Sequence, residues 1–487
     1  MTFTDYVFEK SKYLNSIAVI NKEEYRYKEI FLKVKSIGNM LKDKDLNNEN
    51  SILLIGENSV FFIESYFGII DSGVICVPIN PSFTAEHINY IIDSLHIKII
   101  FVQKKLLKKL NSFIRKGIEI LTEEDIDNLP MIKEKFKEVK KEDVAVILFT
   151  SGSTSIPKGV MLTHDNLIYN TNSIIEYLSL KEEDRVEVVL PFYYCYGTSL
   201  LHTHFRVGGS LVINNKFMFP ETVLEDINEY RCTGFAGVPS TFQILLKKSS
   251  IKDTKLPSLR YITQAGGRMA NVFIEELLDV LQGVDIFIMY GQTEATSRLS
   301  YLPPRLLKEK MGSIGKGIPG TELKVVGKDG QEVLPGEIGE IVAKGGNIMK
   351  GYFNDKDETN KVLKNGYLYT GDLGTVDEEG YIYIMGREKN IIKSGGNRIS
   401  PKEIEDTIIE LEEVLECAVV GVDDEIMGEA VKAFVVLNNK NFTNKDIINH
   451  CKNKLPSYKL PKYIEVVDNL PKNSSGKVLV GVLKESR

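Results

Sequence analysis

The sequence has little that would hold a metal or a disulfide framework. Its five cysteines are far apart and form no CxxC pair, so we expect reduced thiols and no zinc site. His202 and His204 are two residues apart, and we expect them to pack or to lie at the surface rather than bind metal.

The sequence also lacks an excess of one charge, a long apolar run and a secretory signal. Its 61 basic and 67 acidic side chains nearly balance, which argues against a broad nucleic-acid surface. The most apolar stretch, residues 65–79, contains Asp71 and Pro78, so no membrane span is predicted. The first residues lack the basic-then-apolar layout of a signal peptide, so a cytoplasmic location is expected.

The 487 residues suffice for about three structural units. From residue 51 to 102, short apolar runs alternate with amphipathic stretches at 59–70 and 85–95, which predicts parallel strands covered by helices. Similar strand-like runs recur at 144–149, 187–190, 211–213, 234–238, 261–265 and 286–290. The sequence therefore predicts an α/β fold with layered sheets.

The pattern changes after Gly312. Short strand-like segments separated by DG and EG turns predict a small β-rich subdomain over about 312–388. Beyond it, a helix-capable run after Pro401 and two apolar strands predict an α+β lobe. We expect a large N-terminal domain, residues 1–388, and a small hinged C-terminal domain, residues 389–487.

The strongest local signal is the segment TSGSTSIPKGV, residues 150–160, directly after the strand-like VAVILF. Glycine and hydroxyl residues after a strand let successive backbone N–H groups turn toward one anion, and Lys158 adds a positive charge. The segment therefore predicts a phosphate-binding loop. It is not a Walker A loop, because Pro157 stands where that motif has its second glycine.

This segment resembles the signature loop of the adenylate-forming superfamily, which includes acyl-CoA synthetases, peptide-synthetase adenylation domains and firefly luciferase. Further segments resemble that superfamily's motifs, in the same order: PFYYCYG at 191–197, GVPSTF at 237–242, QAGGRM at 264–269, YGQTEAT at 290–296, GSIGKGIPG at 312–320, YTGDLG at 369–374, GREKNIIKSGGNRISPKEIE at 386–405 and PKNSSGKV at 471–478. The resemblance implies that a carboxylic acid is joined to the AMP part of ATP, with release of pyrophosphate, and that the acyl group then passes to a thiol, CoA.

The resemblance also implies roles for individual residues, with ATP and Mg²⁺ as cofactors. The loop over the β- and γ-phosphates comprises Thr150, Ser151, Gly152, Ser153, Thr154 and Lys158. The adenine and α-phosphate site comprises Gly266, Gly267, Tyr290, Gly291, Gln292 and the catalytic Thr293. Asp372 would bind the ribose, and Arg387 would bind the ribose or the phosphate. Glu294 would bind Mg²⁺, which prefers one or two carboxylates plus phosphate oxygens.

Lys477 matches the superfamily's catalytic lysine, which bridges the substrate carboxylate and the α-phosphate. A compact ammonium suits this task, because negative charge develops on two oxygens in a site from which water is excluded. The resemblance places the hinge at Lys389 and implies two closed positions of the small domain. One presents Lys477 for adenylation, and the other presents Gly395, Gly396 and Asn397 for attack by the thiol.

The acid is less well defined than the nucleotide. Adenylation domains for α-amino acids have a Phe-Asp pair whose carboxylate binds the substrate ammonium, and this pair aligns with Tyr194 and Cys195. A neutral thiol does not compensate a buried ammonium, which favours a fatty, aryl or other organic acid. Candidate residues of the acyl pocket are Tyr194, Cys195, Tyr196, Gly197, Gly237, Val238, Gln264, Ala265, Gly266 and Ser297.

Other interpretations stay open at this point. A stand-alone adenylation enzyme would load an amino, aryl or fatty acid onto the phosphopantetheine of a carrier protein. An oxygenase of the luciferase type is a further possibility. A non-catalytic nucleotide-binding protein is disfavoured, because Glu294, Asp372, Arg387 and Lys477 are all present.

Overall fold

The structure is a computed structural model that describes residues 1–44, 46, 49–110, 117–130, 138–150, 157–438, 442–472 and 478–485. Its helices are α1 (Phe3–Phe8), α2 (Tyr27–Lys42), α3 (Val60–Asp71), α4 (Ala85–Ser94), α5 (Leu107–Leu110), α6 (Glu123–Asp127), α7 (His164–Leu178), α8 (Cys195–Val207), α9 (Glu221–Glu229), α10 (Pro239–Lys248), α11 (Asn271–Val280), α12 (Lys356–Val362), α13 (Pro401–Ile409), α14 (Asn444–Lys454) and α15 (Val480–Glu485).

The strands are β1 (Ile17–Asn21), β2 (Glu23–Arg26), β3 (Ser51–Ile55), β4 (Ile75–Ile79), β5 (Ile99–Val102), β6 (Glu119–Leu121), β7 (Val144–Thr150), β8 (Lys158–Thr163), β9 (Arg185–Val188), β10 (Ser210–Ile213), β11 (Gly234–Gly237), β12 (Tyr261–Gln264), β13 (Asp285–Tyr290), β14 (Ser300–Leu302), β15 (Ser313–Gly317), β16 (Glu322–Val326), β17 (Gly339–Lys344), β18 (Gly351–Tyr352), β19 (Leu363–Lys364), β20 (Tyr367–Val376), β21 (Ile382–Arg387), β22 (Ile392–Ser394), β23 (Asn397–Ile399), β24 (Val414–Asp424), β25 (Gly428–Leu437) and β26 (Tyr463–Val466).

Within the described residues these strands form three sheets. The first has the order β16-β17-β20-β21-β15-β14-β13-β12-β11-β9-β10-β1-β2, with β19 beside β20. Neighbouring strands in this order pair in parallel along β13-β12-β11-β9-β10-β1. They pair antiparallel along β16-β17-β20-β21-β15-β14-β13. The strands of the predicted β-rich subdomain therefore extend the ladder of the main sheet.

The second sheet has the order β18-β8-β7-β4-β3-β5-β6. It contains the strands that the sequence predicts between residues 51 and 149, together with β18 from the distant 312–388 region. The pairing of β18 with β8 matters for the site, because it carries Tyr352 to the end of the predicted phosphate loop.

The two large sheets share one hydrophobic core. Helices α3, α7 and α8 contribute buried side chains to this core, which also contains residues of β7, β8, β9 and β11. Helix α3 begins at Ser59, whose hydroxyl accepts from the Phe62 N–H, and all its residues are buried. On the opposite faces, α4 covers the second sheet and α9, α10 and α11 cover the first. The predicted layered α/β class is confirmed.

The small domain contains the third sheet, ordered β23-β22-β25-β24 with β26 beside β25. Helices α13 and α14 pack on it, and α13 ends at Ile409, before the end of the predicted helical run. Two polar contacts join α13 and β24 to the large domain, in addition to apolar packing. They are the Arg268 Nη2–Asp406 Oδ2 ion pair at 2.9 Å and a 2.9 Å hydrogen bond from Lys247 Nζ to the Val414 carbonyl. The boundary between residues 388 and 389 stays a prediction.

All five cysteines are free, as predicted. No helix in the described ranges is both long and apolar enough to cross a membrane.

His202 and His204 both lie in the core, so packing rather than surface placement is the role found. His202 Nε2 is 2.9 Å from the Tyr66 hydroxyl, and its ring packs edge-on against Phe3. His204 Nδ1 is 2.9 Å from the Leu200 carbonyl, within α8. Burial lowers the pKa of His202 to about 3 and that of His204 to about 4.

The buried imidazole of His202 predicts a pH-dependent contribution to stability. Its pKa is lower in the folded protein than in the unfolded chain, so the folded protein binds fewer protons at acid pH. The free energy of unfolding therefore decreases as the pH falls below about 6.5. We expect this group to lower the free energy of unfolding by about 2 kcal/mol by pH 5. Denaturant unfolding of His202→Gln should therefore show a flatter dependence of the unfolding free energy on pH than the wild type. The exposed control, His96→Gln, should keep the wild-type slope.

Candidate active site

The predicted nucleotide and acyl residues meet where three parallel strands end. Strands β11, β12 and β13 are neighbours in the first sheet and end at Gly237, Gln264 and Tyr290. The segments that follow them carry Val238, the loop Ala265–Gly267, and the 3₁₀ turn Thr293–Ala295. The carboxyl edge of a parallel sheet is the usual place for a ligand in such folds.

Two glycines let these segments approach one another closely. Gly266 has φ of +85°, a conformation that favours glycine, and a Cβ there would lie 3.1 Å from Val238 Cγ1. A Cβ on Gly291 would lie 1.9 Å from the Ser297 carbonyl oxygen, so a larger residue would displace the turn that follows β13.

The predicted ribose residues form one ion pair on adjacent strands. Asp372 in β20 lies opposite Arg387 in β21, and Arg387 Nε is 2.9 Å from Asp372 Oδ1. The Tyr290 hydroxyl donates to Asp372 Oδ2 at 2.7 Å. Burial and the nearby Asp372 carboxylate raise the pKa of Tyr290 well above 10, so the hydroxyl stays a donor. This carboxylate is therefore fixed as an acceptor beside Tyr290.

The predicted magnesium residue is connected to the end of the phosphate loop by a tyrosine. The Tyr352 hydroxyl donates to Glu294 Oε1 at 2.8 Å, and Lys158 Nζ lies 5.4 Å from the centre of the Tyr352 ring. Lys158 also forms an ion pair with Glu358 at 2.6 Å. Tyr352 and Glu358 were not predicted from the sequence, because neither lies in a motif and both are about 200 residues from Lys158 in the chain.

Four of the predicted acyl residues lie at the start of α8: Tyr194, Cys195, Tyr196 and Gly197. The Cys195 Sγ is 3.6 Å from the Thr293 hydroxyl oxygen, and burial raises the pKa of the thiol, which therefore stays neutral. The Tyr196 hydroxyl donates to the Thr263 carbonyl at 2.8 Å. Cys195 and Ser297 also line a cavity of about 10 Å³, which is room for one water at most. A neutral thiol provides no counter-charge for a substrate ammonium, which is consistent with an acid that has no α-amino group.

The remaining predicted residues are placed as follows. Tyr194 precedes α8 and accepts a hydrogen bond from Asn80 Nδ2 at 3.2 Å, and Gly197 in α8 is buried. Thr150 at the end of β7 donates to the Lys158 carbonyl at 3.5 Å. The Gln292 carbonyl accepts from the Ala295 N–H at 3.0 Å. Ser151, Gly152, Ser153, Thr154 and Lys477 lie outside the described residues.

The predicted hinge and thiol residues lie in the segments that follow β21. Lys389 lies in the turn Glu388–Asn390 between β21 and β22. Gly395, Gly396 and Asn397 form the tip of the β22–β23 hairpin in the small domain and are exposed. Their role in thiol binding therefore stays a prediction.

The residues present fit a magnesium nucleotide. Gln264 Nε2 donates to the Gly267 carbonyl at 2.7 Å, whereas its Oε1 is buried with no partner and suits a donor on a ligand. Asp372 offers acceptor oxygens for hydroxyl groups, and Glu294 offers a carboxylate. No group of three His, Cys, Asp or Glu side chains in the described ranges could hold a metal ion by itself. A magnesium ion bound by one carboxylate and phosphate oxygens needs no such group.

Comparison with known proteins gives the family. The sequence matches the AMP-binding enzyme family over residues 9–353 and the AMP-binding enzyme C-terminal domain over residues 403–477. It is 31% identical to the 2-succinylbenzoate–CoA ligase of Bacillus subtilis (strain 168), over 97% of this chain and 95% of that protein.

Two solved structures have nearly the same fold. The anthranilate CoA ligase AuaEII in complex with anthranoyl-AMP has a TM-score of 0.91 and 26% identity, covering 99% of this chain and 96% of that chain. The Bacillus subtilis O-succinylbenzoate coenzyme A synthetase (MenE) with ATP and magnesium ion has a TM-score of 0.89 and 28% identity, covering 99% of both chains. The chain therefore belongs to the AMP-binding enzyme family, which is the adenylate-forming superfamily that its motifs resemble.

Proposed function

We propose that the protein is an AMP-forming acid–thiol ligase that makes acyl-CoA thioesters. The observation that carries the proposal is the meeting, at one sheet edge, of the Thr293–Glu294 turn with the Tyr290–Asp372–Arg387 group. Two of the compared proteins support it. The Bacillus subtilis relative is named a CoA ligase, and the anthranilate CoA ligase structure contains the acyl-adenylate anthranoyl-AMP.

The first half-reaction forms an acyl-adenylate. A carboxylate oxygen of the acid attacks the α-phosphorus of ATP, and the bond from this phosphorus to the pyrophosphate oxygen breaks. The Thr293 hydroxyl would donate to an α-phosphate oxygen, and Asp372 would accept from the ribose hydroxyls. Lys158 and Arg387 add positive charge where the phosphates would lie. A bound magnesium ion, with Glu294 as a ligand, would neutralise part of the phosphate charge.

The second half-reaction transfers the acyl group. The thiolate sulfur of CoA attacks the acyl carbon, a C–S bond forms, and AMP leaves with the electrons of the broken C–O bond. The exposed tip at Gly395, Gly396 and Asn397 would have to turn toward the nucleotide for this step. That movement would break the Arg268–Asp406 and Lys247–Val414 contacts, so these contacts would exist in only one of the two proposed positions of the small domain.

The exchange of labelled pyrophosphate into ATP, measured against a panel of fatty, aryl and other organic acids, tests the first half-reaction. We expect at least one acid to support exchange, and amino acids to support none. Adding CoA, or separately a phosphopantetheinylated carrier protein, to the active acid then identifies the acceptor. Thioester formation with the carrier protein alone would contradict the proposed acceptor, and no exchange with any acid would contradict the proposed activity.

A further inference from the structure

Arg298 is a buried cation next to the predicted acyl pocket. It follows Ser297, a predicted pocket residue, and only 3% of its surface is exposed. Its Nη1 donates to the Ser297 hydroxyl at 2.7 Å, its Nε is 3.3 Å from Met289 Sδ, and its Cζ lies 4.0 Å from the centre of the Tyr196 ring.

These contacts are all with neutral groups. In the described part of the chain, no carboxylate lies within 4.0 Å of the Arg298 guanidinium. Other arginines of this chain do have such partners, as Arg260 has in Asp184 and Arg387 has in Asp372. Arginine keeps its positive charge throughout the physiological pH range, and a buried charge without a counter-ion is unfavourable. The position of Arg298 is therefore suited to an incoming anion.

The backbone holds Arg298 firmly in this position. Thr296 has φ of +65°, which a β-branched residue rarely adopts, and its hydroxyl donates to the Asn347 carbonyl at 2.7 Å. The Arg298 carbonyl accepts hydrogen bonds from Asn347 Nδ2 at 2.7 Å and Asn170 Nδ2 at 3.2 Å. The guanidinium is thus presented by a braced segment directly after the Thr293–Glu294 turn.

Tyr196 and Cys195 connect the guanidinium to Thr293, where the acid would react. The guanidinium stacks on Tyr196, the neighbour of Cys195, and the Cys195 thiol is 3.6 Å from the Thr293 hydroxyl oxygen. An acid with its reacting carboxylate near Thr293 would extend past Cys195 toward Arg298. A positive charge at the far end would repel a substrate ammonium and attract a second carboxylate.

We propose that Arg298 is a specificity-determining residue that binds a second carboxylate of the acid, so that the preferred substrates are dicarboxylic acids. The inference rests on the proposed function, because it assumes that an acid is activated at Thr293. It differs from a purely structural role, in which Arg298 would pack on Tyr196 and treat acids with one or two carboxylates alike.

Pyrophosphate exchange with matched acid pairs tests this inference. The pairs are succinate and butyrate, glutarate and valerate, adipate and hexanoate, and phthalate and benzoate. For at least one pair we expect kcat/KM to be about tenfold or more higher for the diacid. Arg298→Gln should raise the KM of that diacid about 30-fold and leave the monoacid within about threefold of wild type. Arg298→Lys, which keeps the charge, should recover part of the lost affinity.

A second variant and a binding measurement distinguish a specific effect on the acid site from misfolding of the variant. Ser297→Ala removes the partner of Nη1 and should raise the KM of the diacid about threefold more than the KM of its matched monoacid. Protection of each variant by ATP against thermal unfolding reports an intact nucleotide site. Exchange with monoacids only, or equal losses for both members of a pair in Arg298→Gln, would overturn the inference and leave acid activation standing. If no acid supports exchange although ATP protects the protein, acid activation itself falls, and the inference falls with it.

Discussion

Replacing Glu294 with glutamine is expected to lower acid-dependent pyrophosphate exchange by about 10²- to 10³-fold, the scale of losing one preorganised group at a reacting phosphate. The side chain keeps its size, and the amide oxygen can still accept the hydrogen bond from Tyr352. What is lost is the negative charge that would bind magnesium beside the phosphates. Exchange should therefore be measured over a range of magnesium concentrations, and the variant should need more magnesium to reach its maximum.

Two control variants separate the charge of Glu294 from its surroundings. Tyr352→Phe removes the 2.8 Å hydrogen bond to Glu294 Oε1 but keeps the ring beside Lys158, so we expect a loss of less than about tenfold. Glu322→Gln changes an exposed carboxylate on β16 and should leave exchange unchanged. A loss of less than about tenfold in Glu294→Gln at every magnesium concentration would contradict the assigned role.

The sequence predicted the site best where motifs lie at the ends of strands. Tyr290 and Gln264 were predicted at or near the ends of apolar strands, and both end parallel strands of the first sheet. Asp372 and Arg387 were predicted from separate motifs to share one ligand, and the ladder of β20 and β21 makes them direct partners. The hydrophobic pattern predicts such positions, because the end of an apolar run marks the end of a buried strand.

The contacts between distant segments were not predictable in this way. Tyr352 reaches Glu294 through the pairing of β18, a strand of two residues, with β8, and so short a strand has no readable periodicity. Strand β1 lies before the part of the chain that the motifs cover, yet it pairs with β10 in the main sheet. Arg298 sits beside a motif, but only the structure shows that it is buried among neutral groups.

Replacing Lys477 with alanine is expected to separate the two half-reactions. We expect acyl-adenylate formation to fall by about 10²- to 10³-fold, because the ammonium that would neutralise charge shared by the carboxylate and the α-phosphate is lost. Thioester formation from a supplied acyl-adenylate should stay within about threefold of wild type, because the thiol would attack with the small domain in its other position. Single-turnover measurements of both half-reactions on one preparation test this directly.

The C-terminal segment itself offers the matched control for this experiment. Lys472 lies five residues before Lys477 in the sequence, and its Nζ pairs with Glu416 Oε1 at 2.7 Å within the small domain. Lys472→Ala removes the same charge from a surface pair, which contributes little to stability, so both half-reactions should keep their wild-type rates. If Lys477→Ala slowed both half-reactions equally, the lysine would act through the folding or docking of the small domain. The alternation between two positions would then lose its support, because a lysine that serves one position alone should affect one step alone.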